Sequence, residues 1–123
     1  MTRGVLIVDD EATLAKNIKT YLVRSGYKAQ IAGSAEEGFD LLARFRPDAV
    51  LLDLRLPGMD GLAALARFQA LHPKPVVILT TGCGTMETVA EAMKAGAYCV
   101  LSKPVSLGTL RQILEEALLG VDC

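Results

Sequence analysis

The sequence is short of aromatic residues, cysteines, excess charge and long apolar runs, and each shortage excludes something. Aromatics supply only 5% of the 123 positions, so the hydrophobic 51% rests on alanine, leucine and valine. Such a composition suits a fold whose strands are covered on both faces. The three cysteines (Cys83, Cys99 and Cys123) are odd in number and widely spaced, with no CxxC pair. They form neither a disulfide framework nor a zinc site and read as packing or surface thiols. Thirteen basic residues against fourteen acidic ones give a net charge of −1 and no basic stripe, so nothing points to nucleic acid. No apolar stretch approaches the ~20 residues of a membrane span. The opening MTRGVLIVDDE has an apolar run of four residues ending in acids, unlike a signal peptide. The expectation is a cytoplasmic protein with no membrane partner. At this length one hydrophobic core suffices, and no linker, internal repeat or low-complexity segment divides it.

What is present alternates between two kinds of segment. Residues 5–8, 49–52 and 76–79 are short continuous runs of Val, Ile, Leu and Ala, the pattern of buried parallel strands. Residues 28–32 and 98–101 are weaker strands, suited to outer positions. Between them runs helical period. Leu110, Ile113, Leu114, Ala117 and Leu118 form one stripe in 106–119. Leu14, Ile18, Tyr21 and Leu22 mark a first helix, and Ala35, Phe39, Leu42 and Phe45 a second. The second starts with Ser34-Ala-Glu-Glu37, a capping-box pattern. Leu62, Leu65 and Phe68 mark a third helix with Asp60 as N-cap, and Val89, Ala90 and Met93 a fourth beginning at Thr85. Five βα units in succession predict an α/β, doubly wound parallel sheet.

In such a sheet, ligands bind beyond the carboxyl ends of the strands. Strand 1 ends in Asp9-Asp10-Glu11, strand 3 in Asp53, strand 4 in Thr80-Thr81-Gly82 and strand 5 in Ser102-Lys103-Pro104. Alone, each has a plainer reading: paired Asp cap helices, threonines populate strands, and lysines face water. Together they bring acids, hydroxyls and a lysine to one rim. Asp9, Asp10 and Asp53 held close repel one another, and a hard divalent cation relieves that. Mg²⁺ is commonly held by one or two carboxylates plus a phosphate. A carboxylate also serves as a nucleophile toward phosphorus, with the Lys103 ammonium and the Thr80 hydroxyl placed to stabilise the phosphoryl oxygens.

The segments VLIVDDE at 5–11, DAVLLDLRLPGMDG at 48–61, PVVILTTG at 75–82 and AMKAGAYCVLSKPV at 92–105 resemble the response-regulator receiver family of two-component signalling. The resemblance spans essentially the whole chain. It implies a flavodoxin-like (βα)5 fold with sheet order 2-1-3-4-5. It implies that Asp53 accepts a phosphoryl group from a sensor histidine kinase. Asp10 would ligate Mg²⁺ directly, Asp9 largely through water, and the Arg55 backbone carbonyl would be a further ligand. Thr80 matches the switch hydroxyl, Thr81 the small residue after it, and Lys103 the phosphate-pairing lysine, with a cis bond before Pro104. The stretch 82–98 with LRLPGMDGL is most similar to receivers of the NtrC class, which precede an ATPase and a DNA-binding domain in sigma-54-dependent activators. On that reading 1–120 is the receiver, 121–123 begins a linker, and the output domain lies outside this chain. Phosphorylation would switch the helix 4–strand 5–helix 5 surface, altering a homodimer or an output contact in transcription regulation.

One position departs from the family. Val100 stands where a Tyr or Phe is usual, three residues before the lysine, and Tyr98 falls on the same face by strand alternation. Three rivals remain. A phosphatase acting through an aspartyl phosphate would usually carry a second Asp where Arg55 stands. An FMN binder would need a phosphate loop where Asp9-Asp10-Glu11 stand. A degenerate receiver would serve only as a docking module. The receiver reading expects a switch that catalyses only its own phosphoryl transfer and dephosphorylation.

Overall fold

Short β-branched and leucine-rich runs flanked by amphipathic segments fold here as alternating strands and helices. The structure, a computed structural model, describes residues 3–56, 59–82 and 85–119. Cys83, Gly58 of the expected turn, and the expected linker at 121–123 lie outside the described residues.

Five strands make one parallel sheet: β1 (Gly4–Val8), β2 (Lys28–Ala32), β3 (Ala49–Asp53), β4 (Val76–Thr81) and β5 (Cys99–Ser102). Their order is 2-1-3-4-5, as the resemblance implied. The helices are α1 (Ala12–Arg24), α2 (Ala35–Leu41), α3 (Gly61–Gln69), α4 (Met86–Lys94) and α5 (Leu107–Leu119). Alternation along the strands divides the core in two. Leu6, Val8, Val50, Leu52, Val77 and Leu79 face one layer, with Leu65 and Phe68 of α3 and Ala92 of α4. Val5, Ile7, Ala49, Leu51 and Ile78 face the other, with Ile18 and Leu22 of α1 and Leu110, Leu114 and Leu118 of α5. Val100 packs against the first layer, Cys99 and Leu101 against the second. No helix among the described residues is long and apolar enough to cross a membrane.

The helix ends follow from local chemistry. Ser34 Oγ accepts from Glu37 N–H at 3.1 Å, while the Glu37 carboxylate reaches back to Gly33 N–H at 2.5 Å, one residue earlier than in the usual box. Asp60 caps α3 through Leu62 N–H at 3.1 Å, and Thr85 caps α4 through Thr88 N–H at 3.2 Å. Helices α1 and α4 both close on a glycine with positive φ, Gly26 (99°) and Gly96 (106°). Each glycine lets the next residue turn its N–H back onto the helix, Tyr27 onto Leu22 O at 3.0 Å and Ala97 onto Ala92 O at 3.1 Å.

Three details differ from the sequence pattern. The second helix stops at Leu41, and residues 42–44 tighten into i to i+3 turns although the apolar spacing runs on to Phe45. Strand β5 begins at Cys99 rather than Tyr98. A two-residue antiparallel ribbon, Arg55–Leu56 against Met59–Asp60, was not anticipated. It carries the chain from β3 straight into α3 and so presses Gly61 against Leu54. A Cβ on Gly61 would lie 2.7 Å from Leu54 Cα and overlap Leu54 O. Backbone cannot step aside cheaply, so Gly61→Ala should cost about 2 kcal/mol, lowering Tm by roughly 5–10 °C in a thermal melt. An unchanged Tm would show that the ribbon yields.

Candidate functional site

The carboxyl ends of β1, β3, β4 and β5 meet at one edge of the sheet. Asp9 and Lys103 each lie one residue past a strand, yet their N–H groups extend the ladder, to Ala32 O at 3.0 Å and Thr81 O at 2.8 Å. Strand alternation therefore still holds for them. Counting from Val5, Ala49, Val76 and Cys99, the residues Asp9, Asp53, Thr80 and Lys103 all fall on the α1/α5 side. Asp53 and Thr80 are also direct partners across β3 and β4.

Asp9 and Asp53 are each only 5% exposed, and Thr80 and Thr81 at the end of β4 are buried too. Buried carboxylates need donors, and the backbone supplies one to each. Asp9 Oδ1 accepts from Glu11 N–H at 2.9 Å, and Asp53 Oδ1 from Arg55 N–H at 3.0 Å. These turns fix the loops after β1 and β3. The other oxygens share Lys103: its Nζ stands 2.8 Å from Asp53 Oδ2 and 3.2 Å from Asp9 Oδ2. A third acid, Glu11, meets the same ammonium at 3.2 Å. Asp10 is exposed and engages no partner among the described residues.

Burial raises the pKa of Asp9 above the usual carboxylate value. The Glu11 N–H and Lys103 pull it down, and the Asp53 charge pushes it further up. For Lys103 burial acts in the opposite sense and would lower the pKa, but hydrogen bonds to Asp53, Asp9 and Glu11 outweigh it and hold the ammonium firmly charged. One carboxylate oxygen each of Asp9, Asp10 and Asp53 lies within 4.8 Å of the others. An all-oxygen, triply acidic set with one member open to water fits a hard divalent cation.

The other expected residues are placed as follows. Arg55 opens the ribbon, its peptide held at the cluster by the Asp53 turn. The Lys103–Pro104 bond is cis, and so is His72–Pro73, which the sequence pattern did not suggest. Val100 pairs with Leu79 and Tyr98 bonds to Val77 O, so Tyr98 lies about three residues, roughly 10 Å, along the sheet from Thr80. It is half-exposed at the opposite end of β5 and does not join the cluster. Glu11 does join it and was not singled out from sequence. Its only signal was adjacency to the Asp pair.

Comparison with known proteins finds similar sequences and similar folds. The family described as response regulator receiver domain matches residues 5–115. Regulatory protein AtoC of Escherichia coli is 35% identical over 93% of this chain, which spans 25% of that protein. The chain thus covers about a quarter of the length of the curated relatives it first matches. Sporulation initiation phosphotransferase F of Bacillus subtilis is 30% identical, with 96% of this chain covering 95% of that protein. Among solved structures, a CheY-like response regulator receiver domain protein from Methanospirillum hungatei superposes with a TM-score of 0.91 at 30% identity, covering 98% of this chain and 96% of that one.

The raised Asp9 pKa carries a sign that can be measured. A carboxyl that holds its proton more tightly in the fold favours the fold while protonated. That contribution is lost as pH climbs from about 3.8 through the raised value. Asp9→Asn stays neutral throughout. In metal-free buffer the variant should therefore gain stability relative to wild type between about pH 4 and pH 7, read as urea midpoints at each pH. A gap that narrows with pH would mean that Lys103 more than offsets the burial.

Proposed function

The chain belongs to the response regulator receiver domain family, whose members act as signalling switches rather than as classical enzymes, and from that premise we propose that Asp53 is its phosphoacceptor. The observation that supports this most is the single lysine bridging Asp53 and Asp9 at the rim where three carboxylates converge. In this reading an Asp53 oxygen forms the new O–P bond as the N–P bond of a kinase phosphohistidine breaks, its electron pair returning to the imidazole. The donor is a sensor histidine kinase. Asp10 and Asp53, Asp9 through water, and the Arg55 carbonyl would hold Mg²⁺. When bound, the ion supplies charge neutralisation at the phosphoryl oxygens. Lys103 already stands at Asp53 Oδ2 and needs little movement to meet a phosphoryl oxygen. Thr80, the cross-strand neighbour of Asp53, offers its hydroxyl from the same side, with Thr81 following it.

Phosphorylation adds about −1.5 to −2 charge. Moving a two-state surface from 1:99 to 99:1 takes about 5.5 kcal/mol, within reach of a few charge-assisted hydrogen bonds. The surface proposed to respond is that of α4, β5 and α5. Three apolar residues of α4, Met86 (90% exposed), Val89 and Met93, are turned to water there. Thr80 pairs with Leu101, which packs against the α5 layer, so a pull on Thr80 has a path to α5 that needs no ring at Val100. The output would be a homodimer contact or control of a transcriptional output domain of the NtrC class outside this chain, and the protein would work in the cytoplasm. Relatives named as regulatory and transcriptional regulatory proteins support the output.

Incubation with Mg²⁺ and a small acyl phosphate, followed by intact-mass measurement, should show one phosphoryl adduct on wild type. Asp53→Ala and a chelated sample should show none. An adduct that persists in Asp53→Ala would sink the assignment.

A further inference from the structure

Glu11 is the N-cap residue of α1, yet its side chain makes no capping bond. Caps are normally Ser, Thr, Asp or Asn, whose short side chains reach the first-turn N–H groups. The Glu11 backbone is fixed from both sides, its N–H on Asp9 Oδ1 at 2.9 Å and its carbonyl accepting from Ala15 N–H at 3.0 Å. That anchoring sends the side chain across 92 residues of sequence to Lys103, where Oε1 accepts from Nζ at 3.2 Å.

A lysine ammonium has three protons to donate. Among the described residues its three acceptors are all carboxylates, Asp53, Asp9 and Glu11. Phosphorylation takes the negative charge off the Asp53 carboxyl and places it on the phosphoryl oxygens, so Lys103 passes its 2.8 Å bond with Asp53 to one of them. The added phosphoryl charge calls for a second donor, which must be released by Asp9 or Glu11. Asp9 is held in place by burial. The Glu11 side chain is 62% exposed, so it can return to water at little cost.

We propose that Glu11 is a positioning residue that competes with the phosphoryl group for Lys103. It occupies the third donor in the unmodified protein and is displaced when Asp53 is phosphorylated. The proposal rests on Asp53 being the phosphoacceptor. Two effects point the same way. Glu11 keeps the ammonium from turning fully to the incoming phosphoryl oxygens, and its charge repels an anionic donor. Both slow phosphorylation, and both resist retention of the product.

The experiment compares initial phosphorylation rates of wild type, Glu11→Gln and Glu11→Asp with Mg²⁺ and acetyl phosphate, followed by intact mass. Thermal melts check the fold: Glu11→Gln should melt as wild type, since no capping bond is lost, and Glu11→Asp no lower than wild type, since Asp is a favoured N-cap. Glu11→Gln should react about two- to fivefold faster, the range expected from losing one exposed charge contact. Glu11→Asp keeps the charge but is one methylene too short for Lys103, so it should also be faster than wild type. In wild type the Lys103 side-chain ¹⁵Nζ signal should shift on phosphorylation, and in Glu11→Gln it should start already displaced. Equal rates for all three proteins overturn the competition. So does Glu11→Asp behaving as wild type while Glu11→Gln is fast, since charge alone would then account for it. If wild type takes up no phosphoryl group, the phosphoacceptor reading itself falls, an outcome distinct from either of these.

Discussion

Two carboxylates, Asp9 and Asp53, sit almost wholly out of water at the end of an apolar sheet, and one ammonium, that of Lys103, touches both. Charges buried this way are costly unless paired and hydrogen-bonded. Much of the local architecture satisfies that requirement. The loop after β1 folds so that Glu11 N–H meets Asp9, and the loop after β3 so that Arg55 N–H meets Asp53. Leu54 N–H is tied to Thr80 O and Lys103 N–H to Thr81 O, which fixes the two remaining strand ends to the same edge. The acidic rim is therefore also what shapes the loops that carry it. Removing Lys103 would leave the buried carboxylates without their cation and loosen the segments that hold them.

Pairing also leaves the edge unequal. Asp9 has both oxygens engaged, whereas Asp10 faces water with none taken among the described residues. A cation arriving from solvent would meet an open ligand first and deeper acids second. At the far edge of the molecule the inequality is of another kind. Helix α4 buries only Ala92 among its nine residues and shows methionines to water. Few buried contacts make such an element the part of the fold most easily shifted.

The sheet was legible because buried parallel strands leave continuous apolar runs, and β2 matches its expected limits at both ends. The caps Ser34 and Asp60 were legible because each has one chemical job, and Thr85, expected as the first residue of the fourth helix, is its cap instead. The ribbon between β3 and α3 was not, because two paired residues a side have no period to detect. The second helix ran too long on paper because Phe45 still packs inward, near Gly4, after the helical bonds have tightened. At the site, Asp9, Asp10, Asp53, Thr80 and Lys103 were readable as residues interrupting or ending apolar strands. Glu11 was hidden because an exposed acid carries no pattern, and its contact is made across nearly the whole chain. Tyr98 was read onto the face of Val100, which packs against the α3/α4 layer rather than the side that carries Thr80 and Lys103, and it also lies at the far end of β5.

Asp9, Asp53, Thr80 and Lys103 share one side of the sheet because each stands an even number of residues from an inward-facing position on its own strand. Side chains change side with every step, so the arrangement obeys a parity rule. Inserting or deleting a single residue within β1, β3, β4 or β5 would turn one of these four groups to the other layer while leaving the strand as apolar as before. Length changes inside the strands are then tolerated only in pairs. The loops that follow them, where parity no longer counts, are where such a protein is free to diversify.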